Sequence, residues 1–560
     1  MMFHSACFAQ SPLMTRFRLL TLIFSVLLFF ALPAQSSTTV NKDGKEKRNN
    51  EKSTKEKKRK SASSKISLNQ TGKWDNAYET EPAVHMSVLP DGRVLSWSEI
   101  PPVLTPQPKT FVTVWDPSNN SLSYPHHYDR NLFCSGHSFL PDGRLFVTSG
   151  QISGYFDGPR YTNFFNYQTN AWSNGPDMNA GRWYPTNIQL GRNGENLGET
   201  LTVGGSFCQI RDPATGRCLT VEENENAIGF NHLSQVLQTN DTLRNINDTG
   251  AFRGYIYYPW MLLTSSGKVF NAGPDPQTHY LSTTDGAWET GTMSNNGWRG
   301  GGAAVMYERD KVLILGGGQN PPLDKAEVIN LADGINAPWT DGGTMAYRRN
   351  HASATVLPDG KVLVTGGTKG NGELNTCPEN YVLAAELWNP ATKAFTTLAS
   401  MQHPRLYHST AVLLPSGKVL VGGTNKKTNG YRNPNTPCEE VPDQRQTEIF
   451  SPPYLFNSDG TPATRPVITA APTDISYGQV FRIGVQGSVG TSKVTLIRLS
   501  SVTHSFNQNQ SFHNLSFSRV STGLKVTMTM EPNVCPPGHY MLFVVNSAGV
   551  PSQGQIVRVS

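Results

Sequence analysis

Two phenols, a thiol and an imidazole stand at matching places in this sequence. Counted back from the glycine of a recurring turn, Tyr184, Tyr257, Asn350 and Tyr407 lie ten residues ahead of it. Cys134, Tyr258, His351 and His408 lie nine ahead, with one residue of slippage allowed in the longer turn after Tyr184. Phenol, thiol and imidazole are groups that ligate metals and move protons. The blander reading is that Tyr and His at strand starts only plug a channel, and that a lone Cys is a small buried apolar group. The pair Tyr407-His408 is odd for a strand, where consecutive side chains point to opposite faces. Both reach one centre only where the chain enters the strand irregularly.

Other candidates are weaker. His137, three residues after Cys134, makes a zinc-like pair, but no second such pair exists. His351 shares the register of His408 without a preceding Tyr and reads as a neighbour of the site. His85, His126, His127, His403, His513 and His539 have no supporting motif and read as surface or structural. Asp324 and Glu327 lack the paired-acid spacing of a glycosidase. Gly316-Gly317-Gly318 opens no helix, so it is strand punctuation rather than a phosphate loop.

The elements that must position these groups repeat seven times. A β-rich run, a Gly turn, a second run and a closing glycine recur at 87–97, 138–150, 188–205, 261–273, 303–318, 354–367 and 412–423. The turn residues are Gly92, Gly143, Gly194, Gly267, Asp310, Gly360 and Gly417. A period near 50 with a hairpin and a Gly doublet is the kelch pattern, one four-stranded blade per copy. The expected fold is all-β: a seven-bladed propeller over 69–456, then an immunoglobulin-like β-sandwich over 457–560, where short alternating strands continue without the doublet.

Composition agrees. Gly and Pro number 51 and 38 among 560 residues, against 37% hydrophobic and 16% charged. That excludes a helical bundle and a disordered polymer. The net charge of +6 is local, because residues 42–65 hold 11 basic and 4 acidic groups, while the chain after Lys65 holds 35 and 38. A nucleic-acid partner is therefore not expected. Arg16 and Arg18 precede the apolar run 19–32 and a small polar end, the order of a signal peptide over 1–36. That run is too short to span a bilayer, and no transmembrane segment is expected. Residues 37–68 read as a basic low-complexity linker, with contact to cell-wall polysaccharide as a minority reading. Six sequons (Asn69, Asn119, Asn240, Asn247, Asn509, Asn514) and the expected pairs Cys208–Cys218 and Cys377–Cys438, leaving Cys535 over, fit secretion to the cell exterior.

Phe133-Cys134-Ser135-Gly136, Arg182-Trp183-Tyr184-Pro185, Leu406-Tyr407-His408-Ser409 and Ser501-Val502-Thr503-His504-Ser505 occur in that order. Together they resemble the copper-radical oxidases, the galactose oxidase and glyoxal oxidase family, over roughly residues 70–560. The Arg-Trp-Tyr-Pro version is similar to the glyoxal oxidase branch, and the secreted form to its plant members. The resemblance implies one copper ion held by Tyr184, Tyr407, His408 and His504, with His504 delivered by a loop of the C-terminal domain. It implies that Tyr184 carries a stable radical and is joined to Cys134 by a thioether, and that Tyr407 is the base. Imidazole and phenolate donors suit Cu(II). The implied activity is oxidation of small aldehydes such as glyoxal or methylglyoxal to acids, with dioxygen reduced to hydrogen peroxide. Oxidation of galactose primary alcohols in wall polysaccharide is the alternative, and a non-catalytic propeller binding carbohydrate or protein the alternative of another class. A monomer is expected.

Overall fold

The computed structural model describes residues 67–560 except 99–108, 153–156, 192–196, 215–217, 220–222, 225, 247–257, 319, 372–376, 426–440 and 487–489. The leader, the basic linker up to residue 66, Tyr257, Gly194, Asn247 and Cys438 lie outside the described residues. The chain is almost entirely β. Among the described residues, no helix is long and apolar enough to cross a membrane.

Each repeat folds as an antiparallel sheet, and in five of the seven the first strand begins within three residues after Cys134, Tyr184, Tyr258, His351 or His408. The seven first strands are His85–Val88, Gly136–Phe139, Thr186–Gly191, Met261–Leu263, Ala303–Glu308, Ser353–Val356 and Ser409–Leu413. In five sheets the four strands follow one another directly, and in the third a separate hairpin, Ser206–Cys208 with Ile228–Phe230, intervenes between the second and third strands. The seventh takes its outer strand from the other end of the chain, where Lys73–Glu79 pairs with Gln446–Ser451 and sets Trp74 opposite Phe450. The hairpin turns are as the spacing demands. Gly92, Gly143, Gly267, Gly360 and Gly417 all have φ between 76° and 90°, and Asp310 takes their place at φ 57°.

Four of the first strands, His85–Val88, Gly136–Phe139, Thr186–Gly191 and Ser409–Leu413, are buried along their whole length, so both of their faces pack against protein. Backbone bonds tie neighbouring sheets at one level. Tyr184 N–H donates to Cys134 O (3.2 Å), Tyr258 N–H to Tyr184 O (2.9 Å), and His351 N–H to Gly301 O (2.6 Å).

Beyond Pro462 two further sheets enclose a separate core. Phe481, Ile483, Leu524 and Val526 of one meet Val494, Leu496, Leu542, Val544 and Val557 of the other. From this region a hairpin, Ser501–Thr503 with Phe506–Asn507, adds to the edge of the first sheet, pairing His85 with Thr503 and Ser87 with Ser501.

Cys208 and Cys218 form the expected disulfide, and Cys377 is also disulfide-bonded. Of the five sequons described, Asn69, Asn119, Asn240 and Asn514 are exposed. Asn509 is only 3% exposed, and its amide bonds Arg498, Ser138 and Leu499, so that sequon is closed to modification in the folded protein.

Candidate metal centre

The site is built at the entries to the first strands. Cys134, Tyr184, Tyr258, His351 and His408 all adopt positive φ (65°, 65°, 47°, 63° and 70°), and Gly301 takes the same conformation in the fifth sheet. Non-glycine residues rarely sit there, and each costs about 1–3 kcal/mol. The strain has a visible result. The left-handed turn at His408 puts its ring beside that of Tyr407, with centroids 3.9 Å apart, where a regular strand would send the two apart.

The shared conformation also settles the register. Tyr184 aligns with Cys134 and His408 rather than with Tyr407, because pairing in the third sheet shifts between Gln189 and Gly191. Tyr407 thus precedes the common level by one residue.

Four of the predicted groups converge. Tyr184 Oη lies 2.5 Å from Tyr407 Oη and 2.9 Å from His504 Nε2. The His504 ring is 4.5 Å from that of His408 and 5.3 Å from that of Tyr407. His504 sits with Ser505 at the two-residue tip of the added hairpin, both with positive φ (48° and 66°). Such tips usually carry Asn-Gly, so a His-Ser tip is strained as well. Cys134 belongs to the same buried cluster as Tyr184. His351 stands 5.0 Å from the Tyr407 ring, at the margin of the group.

Second contacts decide which nitrogen carries the lone pair. Thr503 Oγ1 donates to Val84 O (3.1 Å) and accepts from His504 Nδ1–H (2.7 Å), which leaves Nε2 of His504 facing Tyr184. Asn425 Oδ1 accepts from His408 Nδ1–H, so Nε2 of His408 is likewise the lone-pair nitrogen. That nitrogen is buried without a hydrogen-bond partner. Burial holds the His408 imidazole down to about 3, and it drives His504 well below its ordinary value, with His408 and His85 adding to the effect. Both rings are therefore neutral and able to donate to a cation. Burial also raises the Tyr184 phenol far above its usual range, with Cys134 and Tyr407 adding to it. A cation among these groups would reverse that balance. Two imidazole nitrogens and two phenol oxygens, one nitrogen orphaned and buried, make a donor set that fits Cu(II). Among the described residues no group of three His, Cys, Asp or Glu is placed to hold a metal, so the phenols are indispensable to any such site.

Some participants lacked a chemical motif. Trp183 stacks on the Tyr184 ring at 3.7 Å and 10°, and Tyr258 stacks on it at 4.6 Å and 22°. Tyr258 was legible from register alone; Trp183 lay inside the Arg-Trp-Tyr-Pro string, with nothing to say where its ring would turn. His85, read as surface or structural, is fully buried, and its Nε2 accepts from Cys134 N–H. His137 bonds His85 and Ser501 through its two ring nitrogens, in keeping with the discounted zinc pairing with Cys134.

The chain resembles known proteins over most of its length. Residues 465–559 match the family model of the galactose oxidase-like early set domain, and residues 323–454 that of the glyoxal oxidase N-terminus. The chain is 27% identical to a galactose oxidase of Gibberella zeae, over 87% of this chain and 71% of that one. It is 28% identical to the aldehyde oxidase GLOX of Vitis pseudoreticulata, over 77% and 82%. A solved fungal alcohol oxidase in complex with copper superimposes with a TM-score of 0.73 at 25% identity, covering 88% of this chain and all of that one. This chain shares the all-β fold of that copper-bound oxidase. The chain carries galactose oxidase-like and glyoxal oxidase N-terminal domains and is similar to the copper-radical oxidases over most of its length.

Proposed function

We propose that the protein is a secreted oxidase that converts small aldehydes, as their hydrates, to carboxylic acids while dioxygen becomes hydrogen peroxide. The observation that carries this reading is the convergence of Tyr184, Tyr407, His408 and His504, contributed by two sheets and an added hairpin. These four would hold the copper, which when bound would supply a Lewis acid and a one-electron acceptor. The chain's own residues do the rest. Tyr407, half-buried where Tyr184 and His408 are buried, is the group placed to take the proton from the substrate hydroxyl. Tyr184, joined through a thioether to Cys134, would store the second oxidising equivalent as a phenoxyl radical and take a hydrogen atom from the substrate carbon. Trp183 and Tyr258 stacked against its ring exclude water from that radical. The substrate gives up two electrons and two protons, and dioxygen accepts them.

We read the seven four-stranded sheets as blades of one closed propeller over 69–456, a reading supported by the seventh sheet's borrowed strand. Residues 457–560 would form the immunoglobulin-like sandwich, supported by the core of its own. The disulfide at Cys208 supports a secretory route.

Small aldehydes are favoured because the part of the chain bearing Tyr407 and His408 matches the glyoxal oxidase model. Galactose-type alcohol oxidation is the second reading, favoured by the wider coverage of the galactose oxidase relative. Peroxide release from copper-loaded protein on methylglyoxal and on galactose separates them. A Tyr184→Phe protein should keep its fold and lose about a thousandfold or more in turnover. Retained turnover would contradict the radical assignment. Absence of peroxide with either substrate, together with an unlinked Cys134, would leave a binding module.

A further inference from the structure

Behind the site runs a line of buried hydrogen bonds that no step above uses. Cys134 N–H donates to His85 Nε2 (3.1 Å), His85 Nδ1 meets His137 Nε2 (3.1 Å), and His137 Nδ1 meets Ser501 Oγ (2.5 Å). Ser501 Oγ in turn meets Ser87 Oγ (3.0 Å). His85, His137, Ser87 and Ser501 are all 0% exposed.

The direction of the line is fixed at its first link. A backbone N–H can only donate, so Nε2 of His85 must bear a lone pair. A neutral imidazole then carries its one proton on Nδ1 and gives it to His137, whose own proton must point to Ser501. Neither ring can turn easily. His85 stacks on Trp97 at 4.7 Å and 2°, and His137 meets the same indole edge-on at 4.7 Å. The peptide of Cys134 is therefore gripped from both sides, its N–H by His85 and its carbonyl by Tyr184 N–H (3.2 Å). Its φ of 65° is one that a cysteine does not hold unaided.

We propose that His85 is a positioning residue for Cys134: its Nε2 holds the Cys134 backbone in the left-handed conformation that presents Sγ to the Tyr184 ring for thioether formation. The inference rests on the thioether reading above. In that step a bond forms between Sγ and a ring carbon of Tyr184, S–H and C–H bonds are lost, and two electrons and two protons pass to dioxygen. The first sheet thus serves the site twice from one strand, since His85 also pairs in register with Thr503, which orients His504.

The test uses side-chain reach. At position 85 a glutamine places its amide where Nε2 lies, whereas an asparagine reaches only the place of Nδ1. Full-length wild-type, His85→Gln and His85→Asn proteins are expressed without copper, then given copper in air. The peptide joining Cys134 to Tyr184, lighter by two hydrogens than the separate peptides, is followed by mass spectrometry. Far-UV circular dichroism and melting temperature report the fold. The glutamine variant should link within about threefold of the wild-type rate and the asparagine variant about tenfold slower or worse. His137→Leu, which removes the acceptor that fixes the His85 tautomer, should also slow linkage if the asparagine variant does not fold. Wild-type linkage rates in the asparagine and leucine variants overturn the role of His85 alone. A wild-type protein that never links overturns the thioether reading, and this one with it.

Discussion

The third sheet and its counterparts five to seven solve one packing problem with different charges. At each entry a buried arginine reaches across its own sheet. In the sixth, Arg349 Nη1 donates to Gly366 O (2.6 Å) and Nη2 to Ala384 O (2.6 Å), and the guanidinium pairs with Glu386 at 2.8 Å, both side chains 0% exposed. Arg299 with Glu327 and Arg405 with Glu448 repeat the arrangement. In the third sheet Arg182 makes the same carbonyl contacts, to Gly204 and Leu233, but Gln235 stands where the glutamate would be. Gln235 still accepts from a backbone N–H, that of Asn179 (2.9 Å), as Glu386 does from Ala346 (2.6 Å). The hydrogen bond is conserved between the copies and the negative charge is not. The one entry that carries Tyr184 therefore keeps an uncompensated buried cation two residues from it. Burial brings Arg182 down to about 9, while Arg405, with Glu448 opposing the burial, stays at about 10. A repeated scaffold can thus be fixed in geometry and free in electrostatics, and the freedom is used beside the reactive phenol.

Removing the cation tests that contrast most strongly. Arg349→Met would strand Glu386 in the core and should cost about 3–5 kcal/mol, read from urea unfolding. Arg182→Met strands only a neutral amide and should cost about 1–3 kcal/mol, the price of orphaned carbonyls. Equal losses would mean that the carbonyl contacts, not the ion pairs, dominate all four clamps.

Adding the missing charge is the milder change. Gln235→Glu should raise stability in urea unfolding, since the new carboxylate would pair with Arg182 as Glu448 pairs with Arg405 in the seventh sheet. Cancelling positive charge near Tyr184 should also make its phenol easier to oxidise, visible as a lower potential in a redox titration of the copper-loaded protein. A less stable Gln235→Glu protein would show that burying the new carboxylate outweighs its pairing.

Much of this was readable from residue order, and what was not has a physical reason. The turn glycines revealed the seven sheets because positive φ at a hairpin leaves few choices of residue. The site was legible because the same register that aligns the strands also aligns Cys134, Tyr258, His351 and His408. The one residue of slippage allowed after Tyr184 does occur, through an irregular pairing inside its sheet whose position spacing alone does not fix. His504 came from resemblance alone, as it belongs to no repeat and arrives by a hairpin joining another sheet's edge. His85 and the arginine clamps escaped notice for a different reason. Their partners lie far away in sequence, Arg182 with Leu233 and Cys134 with His85, and a lone buried His or Arg carries no local signature.

Acid should separate the clamps by the smallest margin. Burial opposes ionisation of Glu327, yet the Arg299 guanidinium, Asn296 and the backbone N–H of Asn295 outweigh it and hold the carboxyl below its ordinary 4.5. Below that value the unfolded chain takes up a proton before the folded one does. The clamp's contribution is therefore complete above about pH 4.5 and is lost as pH falls through the folded value. Gln235 has nothing to protonate, so the third clamp lacks this loss. Hydrogen exchange of Lys325–Asn330 and of Gln235–Leu237, compared between about pH 6 and pH 3.5 after correction for intrinsic rates, measures the difference. The fifth-sheet strand should lose protection by a few-fold more than the third-sheet strand. Equal losses would assign the acid response to the buried imidazoles of His137 and His513, both held near 3, which must charge in any unfolding event and report on no sheet in particular.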